Sequence, residues 1–553
     1  MNGVKPVKTA RVVARTLKRR GVTRVFGVPG GEVTDLMEGF REEGIDFVLT
    51  RHEASAAFMA SATGLLTGVP GVCMATLGPG ATNMVTGVAQ AYLDRSPLIA
   101  FTGQLPRWRM ARDTHQVLDL QTLYAPITKW RFSLEPKGCA GAIDKAVNVA
   151  TADRPGPVYV EVPSDVGGRE CEDGGVCQGN VGNAPIAAGL ARHLALHCSE
   201  DSLREAARLL AAARRPVMLA GLSAVRAEAT PELVALAEKT GMPVIVSPQG
   251  KSVFPENHDR FVGTLEMLGT AYLFDIVASA DFLVTVGLDP VEIMGAWPEK
   301  PGVYVDSVPN LDRYYTSSVE LVGSIRENLC SLLTALDAEG ATPKWEASEI
   351  DAMRGRLDSI ILMPPEGHDP SRGMYPKELF QAINKVLPHD SIVSCDVGAH
   401  KFATGQLWRP GVPGSFLITN GLSSMGYGLP SAIAAKLVHP DRPAVAVVGD
   451  GGLAMYAGEM DTAVRAGAPV VIVVCVDNAL SLIKMNQSRK GYPAYGSEFI
   501  NPDWVQVAMG MGLSAAHADT REDMEDALNV ALKAGRPYLI QAAVDPKGYE
   551  VAK

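Results

Sequence analysis

The chain has 553 residues, enough for about three or four domains of roughly 150 residues. Hydrophobic residues make up 47% and charged residues 20%, which excludes a disordered chain, and 55 glycines without a three-residue period exclude collagen. Fifty-one basic against 61 acidic side chains leave a net charge of −10 with no long basic run, which argues against nucleic acid as a partner, and apolar runs such as Pro469–Val476 fall short of the roughly 18 residues of a membrane helix.

Residues 1–31 carry Lys and Arg but no acid, as a transit peptide would. Yet Ala10, Val13 and Leu17 share one helical face that leads straight into Val25–Gly31, which reads as a first domain helix rather than a leader. Strands are expected at Arg24–Val28, Asp46–Leu49, Gly71–Ala75, Leu98–Phe101 and Val158–Val162, separated by helical stretches. That alternation implies parallel pairing with helical crossovers. Asp165–Pro185 is rich in Gly and aperiodic, a linker. A second block begins near Leu203, with strands at Pro216–Gly221, Pro243–Ser247, Phe282–Gly287 and Val303–Val308. A polar, Pro-bearing stretch over Glu339–Gly373 reads as a second linker. The third block places strands at Ser391–Cys395, Ala444–Val448, Val470–Val476 and Tyr538–Ala543. The expectation is an α/β protein of three doubly wound parallel-sheet domains, over 1–170, 190–338 and 370–553. Of eight cysteines only Cys171 and Cys177 are close in sequence, at a spacing that fits neither a zinc ribbon nor a CxxC site. They read as reduced thiols of a cytoplasmic protein.

Three short runs carry chemistry. Val445–Val448 ends in Gly449-Asp450-Gly451-Gly452 before a helix. Glycines at a strand-to-helix turn let N–H groups approach a phosphate, which a carboxylate would repel unless a cation stood between them. Asp450 therefore suggests a diphosphate held through Mg²⁺ or Ca²⁺, with a second oxygen ligand from Asp477-Asn478 at the end of the next strand. A tight turn capping a helix is the plainer alternative. Glu53, in Arg51-His52-Glu53, opens an Ala-rich helix over Ala54–Leu66, where an acid is also a favourable dipole partner. The run Ala75–Asn83 is a strand, a Gly-rich loop and a helix start, without the lysine of a nucleotide P-loop, and equally reads as a packing turn.

The combination is more specific than its parts. RHEASAAFMA (51–60), ATLGPGATN (75–83), DRPGPVYVEVP (153–163), GLSSMGYGLP (421–430) and GDGG (449–452), with Asp477 27 residues after Asp450, occur in one order. This resembles the thiamine diphosphate-dependent enzymes of the acetolactate synthase/pyruvate oxidase superfamily over nearly the whole chain. The resemblance implies a pyrimidine-binding, a central and a diphosphate-binding domain. It implies that Glu53 hydrogen-bonds the cofactor's aminopyrimidine ring and favours the tautomer that activates thiazolium C2. Met425 matches the residue that holds the cofactor bent, and His400 a diphosphate contact, whereas Ala399 replaces a common glutamine. Further cofactor contacts are implied at Thr76, Gly78, Asn83, Ser423, Gly449, Gly451, Gly452, Leu482 and Ile483. Asp450, Asp477 and the carbonyl of Ala479 match the Mg²⁺ ligands, with Asn478 the alternative one register along. Because the family's cofactor bridges two subunits, a homodimer or homotetramer is implied.

Thr114-His115-Gln116 and Gly287-Leu288-Asp289-Pro290-Val291-Glu292 resemble the catabolic, flavin-free acetolactate synthases, and the arginine-bearing stretch of the flavin-binding ones is missing, which argues against FAD. Gln116, and His115 if it is more than structural, would orient substrate, and Leu482 and Ile483 would bound its pocket. Asn486, Lys484 and the basic run Arg489–Tyr492 depart from both types, and read as a solvated loop or as a contact for an anionic substrate. The expected reaction is decarboxylation of a 2-oxo acid such as pyruvate and ligation of the remainder to a second carbonyl compound. A related carboligase, such as one resembling carboxyethylarginine synthase, or a decarboxylase with another donor or acceptor, is the alternative.

Overall fold

The computed structural model describes residues 7–112, 114–171, 198–312, 316–362 and 369–550. They form three sheets of six strands, and every strand pair is parallel. The first contains β1 (Arg24–Val28), β2 (Asp46–Leu49), β3 (Gly71–Ala75), β4 (Leu98–Gln104), β5 (Trp130–Ser133) and β6 (Pro157–Pro163), in the order β2-β1-β3-β4-β6-β5. The second contains β7 (Pro216–Ala220), β8 (Val244–Val246), β9 (Phe261–Thr264), β10 (Phe282–Val286), β11 (Gly302–Asp306) and β12 (Val319–Val322), ordered β12-β11-β10-β7-β8-β9. The third holds β13 (Ile392–Cys395), β14 (Phe416–Ile418), β15 (Ala444–Gly449), β16 (Val471–Val476), β17 (Ser514–Ala518) and β18 (Tyr538–Ala543) as β14-β13-β15-β16-β18-β17, the order of the first sheet repeated.

The inner strands β3, β4, β6, β7, β10 and β11 are buried along their whole length. Helical crossovers cover both faces of a parallel sheet, so apolar residues run continuously along such strands instead of alternating. The winding reverses between β1 and β3, between β7 and β10, and between β13 and β15, and the first and third sheets turn back again where β6 and β18 insert inside β5 and β17. Carboxyl-end loops at those reversals are where open α/β sheets bind ligands.

The chain divides into two compact units. One comprises 1–193 with 421–440 and 456–468, and its core gathers Ala10, Val13 and Leu17 of the helix Thr9–Arg19 with β1, β3, β4 and β6. Within it the helix Glu53–Thr67 is buried between the helices Pro79–Leu93 and Gly428–Val438. The fit against β3 is so close that a Cβ on Gly71 would lie 1.8 Å from the Ala60 carbonyl oxygen. The other unit comprises 194–420, 441–455 and 469–553, and one apolar cluster joins the second and third sheets.

Two expectations change. The stretch 339–373 is not simply a linker, because it contains the helix Ala347–Leu362. Ile350, Leu357 and Ile361 recur at helical spacing and are buried. Spacing in sequence also misleads about the cysteines. Cys139 and Cys171, 32 residues apart, have sulfurs 3.4 Å apart, at hydrogen-bonding distance and not joined in a disulfide. Cys177 and most of the linker expected over Asp165–Pro185 lie outside the described residues. Among the described residues no helix is long and apolar enough to cross a membrane.

Candidate active site

Each unit brings together one group of the residues singled out from sequence. In the first unit β2 ends at Leu49, and Thr50 N–H bonds the Gly27 carbonyl at the end of β1, 3.0 Å away. The turn that follows is clamped by Glu459, whose carboxylate accepts the N–H groups of Arg51 and His52, each at 3.0 Å, and the Thr462 hydroxyl at 2.6 Å. Burial raises the Glu459 carboxyl above the usual range, and these donors oppose the rise. His52 caps the helix, its Nδ1 accepting Ala54 N–H at 3.1 Å.

Glu53 therefore opens the helix in a fixed place, 8% exposed. Its Oε2 accepts Asn83 Nδ2–H at 3.0 Å. Oε1 faces Gly80, where a Cβ would stand 3.3 Å away. The Thr76 hydroxyl donates to Glu32 at 2.8 Å. Gly78 has φ +58°, and a Cβ on it would lie 2.9 Å from Cβ of Gln116, itself at φ +61°. Glu53, Thr76, Gly78, Asn83 and Gln116 thus form one neighbourhood at the carboxyl ends of β2 and β3, while His115 beside Gln116 is exposed. Met425 is half-buried, in a segment tied down at both sides. Gly421 N–H donates to Asp94 at 2.8 Å, and Tyr427 meets Phe58 edge to face at 5.9 Å. Ser423, with φ +55°, belongs to the same turn.

In the second unit the end of β15 meets the end of β16. Asp450, 2% exposed, accepts Gly451 N–H at 2.7 Å on Oδ1, and on Oδ2 the N–H groups of Asp477 at 3.1 Å and Asn478 at 2.8 Å. Asp477 accepts Ala479 N–H at 3.1 Å and the Ser481 hydroxyl at 2.6 Å. Burial raises both carboxyls, and the charge of Asp450 adds to the effect on Asp477, which is pushed up to about 7. Two acids held close in a low-dielectric pocket are a place for a cation. Among the described residues no cluster of three or more His, Cys, Asp or Glu side chains could hold one, so side-chain acids alone do not complete its shell, and oxygens of the backbone, an amide, water or a bound phosphate would have to.

The His400 ring lies between Gly398 and Gly449, where a Cβ on either would come about 3 Å from it. Burial lowers its imidazole to about 4, so the ring is neutral at neutral pH, and Nε2 is buried with no hydrogen-bond partner among the described residues. Gly451 and Gly452 follow in the first turn of the helix Asp450–Tyr456. Leu482 is half-buried and Ile483 48% exposed on the helix Ser481–Arg489. Lys484 pairs with Glu498 at 2.5 Å, which leaves it less available to an anion.

Sequence reasoning misses two supports. Asn501 Nδ2 donates to Asp450 at 2.7 Å and to Asn478 at 2.9 Å, and its Oδ1 accepts the Trp504 indole N–H at 3.2 Å. Glu459 reads in sequence only as part of a helix. An Asn-Pro turn ahead of a tryptophan marks the position of Asn501 but not its role.

Three family models match: the N-terminal TPP binding domain of thiamine pyrophosphate enzymes at residues 7–123, their central domain at 203–333, and their C-terminal TPP binding domain at 396–542. The chain is 31% identical to a probable acetolactate synthase large subunit of Methanocaldococcus jannaschii, over 98% of this chain and 92% of that one. It is 28% identical to an acetolactate synthase of Bacillus subtilis, over 97% and 93% respectively. An acetolactate synthase of Arthrospira platensis is 31% identical over 98% of this chain and 95% of its own. Matched in all three sheet-bearing regions and along nearly its whole length, the chain belongs to the thiamine pyrophosphate enzymes, in their acetolactate synthase-like family.

Proposed function

We propose that the chain decarboxylates pyruvate with thiamine diphosphate and Mg²⁺ and joins the remaining two-carbon unit to a second carbonyl compound, giving acetolactate when that compound is pyruvate. The observation that carries the reading is Glu53: a buried carboxylate with one oxygen on Asn83 and the other facing a glycine, in a chain alignable end to end with acetolactate synthases.

The residues present fit the group. Glu53 would hold a proton shared with the cofactor's ring, and Asn83 would orient it. Thr76 and Gly78 would keep the adjacent loop close, and Ser423 and Met425 would add contacts to the ring. The unpartnered Nε2 of His400 and the glycines at 449, 451 and 452 suit a diphosphate. Asp450, Asp477 and the Ala479 carbonyl supply the hard oxygens that Mg²⁺ prefers, while the Asn478 amide oxygen already accepts from Asn501. Bound thiamine diphosphate supplies the carbon nucleophile and holds the electron pair left when CO₂ departs. Gln116 and His115 would orient the 2-oxo acid, and Leu482 and Ile483 would keep water from it, which favours loss of charge on decarboxylation.

We further infer a homodimer or homotetramer in the cytoplasm, the family's assembly supplying both ends of each cofactor site, and no requirement for FAD. The test is CO₂ release and product analysis from pyruvate with thiamine diphosphate and Mg²⁺. Acetolactate supports the reading. CO₂ without acetolactate moves the acceptor to another carbonyl compound, and no CO₂ from pyruvate overturns the donor.

A further inference from the structure

The second sheet has no part in that chemistry so far, yet it owns a reversal of winding between β7 and β10. In open α/β sheets the crevice at such a point takes nucleotides, whose diphosphate accepts N–H groups from the loop and helix after the first strand. Here the protein itself fills that place. Glu292 ends the short turn Pro290–Glu292 after β10, and its side chain is entirely buried. Its carboxylate accepts Leu222 N–H, 3.2 and 3.3 Å from the two oxygens, and Asp289 N–H at 2.9 Å, and bonds the Ser247 hydroxyl after β8.

Leu222 is the first residue of the helix Leu222–Arg226 after β7. The neighbouring donors are used as well: Gly221 N–H on the Val286 carbonyl at 3.0 Å, and Ser223 N–H on the Gly287 carbonyl at 2.9 Å. The glycines bring backbone against backbone. A Cβ on Gly221 would lie 2.6 Å from the Gly287 oxygen and 2.8 Å from Glu292 Oε1, and one on Gly287, at φ +58°, would lie 2.2 Å from Ala224 N. From below, Asn420 Nδ2 donates to the Glu292 carbonyl at 3.0 Å and fixes the turn that carries the side chain. The N–H groups of residues 221–223, which a diphosphate would need at this point, are thus all met by groups of the same domain.

We propose that Glu292 is an internal acceptor that closes the nucleotide crevice of the second sheet, so that neither a flavin nor an adenine nucleotide binds there. This deepens the flavin-free part of the proposed function, but its test needs no turnover, so the two fail separately. The full chain and its Glu292→Ala variant, both saturated with thiamine diphosphate and Mg²⁺ so that the diphosphate site of the third sheet is filled, are titrated calorimetrically with FAD and with ADP, and melted in sodium formate against sodium chloride of equal ionic strength. Wild type is expected to bind neither nucleotide and to melt alike in both salts. Glu292→Ala is expected to melt lower and to recover in formate, which restores a carboxylate to the Leu222 and Asp289 N–H groups. Glu292→Gln keeps an acceptor oxygen there and is expected to gain nothing from formate. Saturable binding of FAD or ADP by wild type overturns the proposal, as does formate raising wild type and Glu292→Ala equally. If Glu292→Ala does not fold, Glu292→Asp, too short to reach Leu222 N–H, replaces it in the formate series, and the wild-type titration decides as before.

Discussion

Replacing Glu53 by glutamine removes a proton-binding oxygen while keeping the shape of the side chain. In the Glu53→Gln variant the new amide oxygen is expected to turn to Asn83, so the 3.0 Å bond survives in neutral form. A hydrogen bond to a charged group contributes about 1.5–3 kcal/mol and a neutral one about 0.5–1.5, so the fold loses about 1 kcal/mol there. At a site only 8% exposed, relief from burying a charge offsets part of that loss. The melting temperature is therefore expected to move by no more than about 2 °C. The reaction stands to lose far more. A positioned acid–base group contributes about 10²- to 10⁴-fold, equivalent to about 3–5 kcal/mol in the barrier. The assay is CO₂ release from pyruvate at saturating thiamine diphosphate and Mg²⁺, reading kcat and KM separately alongside a thermal melt. A variant that retains kcat within about threefold at an unchanged melting temperature refutes the role given to Glu53, since a tenfold effect is only about 1.4 kcal/mol.

Three further outcomes are expected. Asn501→Ala removes the bonds to Asp450 and Asn478, and Mg²⁺ or Mn²⁺ affinity, measured by calorimetry, should fall about 10- to 100-fold. Gly426→Ala would place a Cβ 1.9 Å from the Tyr456 ring on a backbone at φ +90°, and should cost more than about 3 kcal/mol in a urea melt. Burial raises the Glu292 carboxyl from 4.5 to about 7, so the folded state holds this proton more tightly than the unfolded chain does. The stability this adds is fully present below pH 4.5 and lost as the pH climbs to about 7. Wild type should therefore lose up to about 3 kcal/mol relative to Glu292→Gln across that interval, and a difference that stays flat with pH would sink the assignment.

The inner strands are legible because burial on both faces writes itself as a β-branched run, as in Val471–Val476. The strands that sequence reading passes over, β5, β9, β12, β14 and β17, all lie at the edges of their sheets. An edge strand has one neighbour and often one wet face, so β12 reads Val-Glu-Leu-Val and β17 reads Ser-Ala-Ala-His-Ala, close to loop composition. The helix Ala347–Leu362 is hidden in the same way, with three buried positions among polar ones. At the site, Glu53 and Asn83 are each visible as motif residues, but their contact depends on β1 pairing with both β2 and β3, so that Gly27 stands opposite Leu49 and Met74. That register carries the ends of β2 and β3 to the same level. The bonds of Asn501 and Glu292 reach across 51 and 70 residues, and no local pattern marks such partners.

The first unit is discontinuous, and this has a consequence in time. Its first 193 residues emerge from the ribosome long before 421–440 and 456–468, although the helix Glu53–Thr67 is covered partly by Gly428–Val438. At about 5–20 residues per second, the roughly 275 residues between His193 and Ala468 take about a quarter of a minute to a minute to synthesise. During that interval an apolar face rich in alanine, with Phe58 and Met59 among it, waits for its partner. The turn carrying Glu53 therefore reaches its final form only after Glu459 has been made.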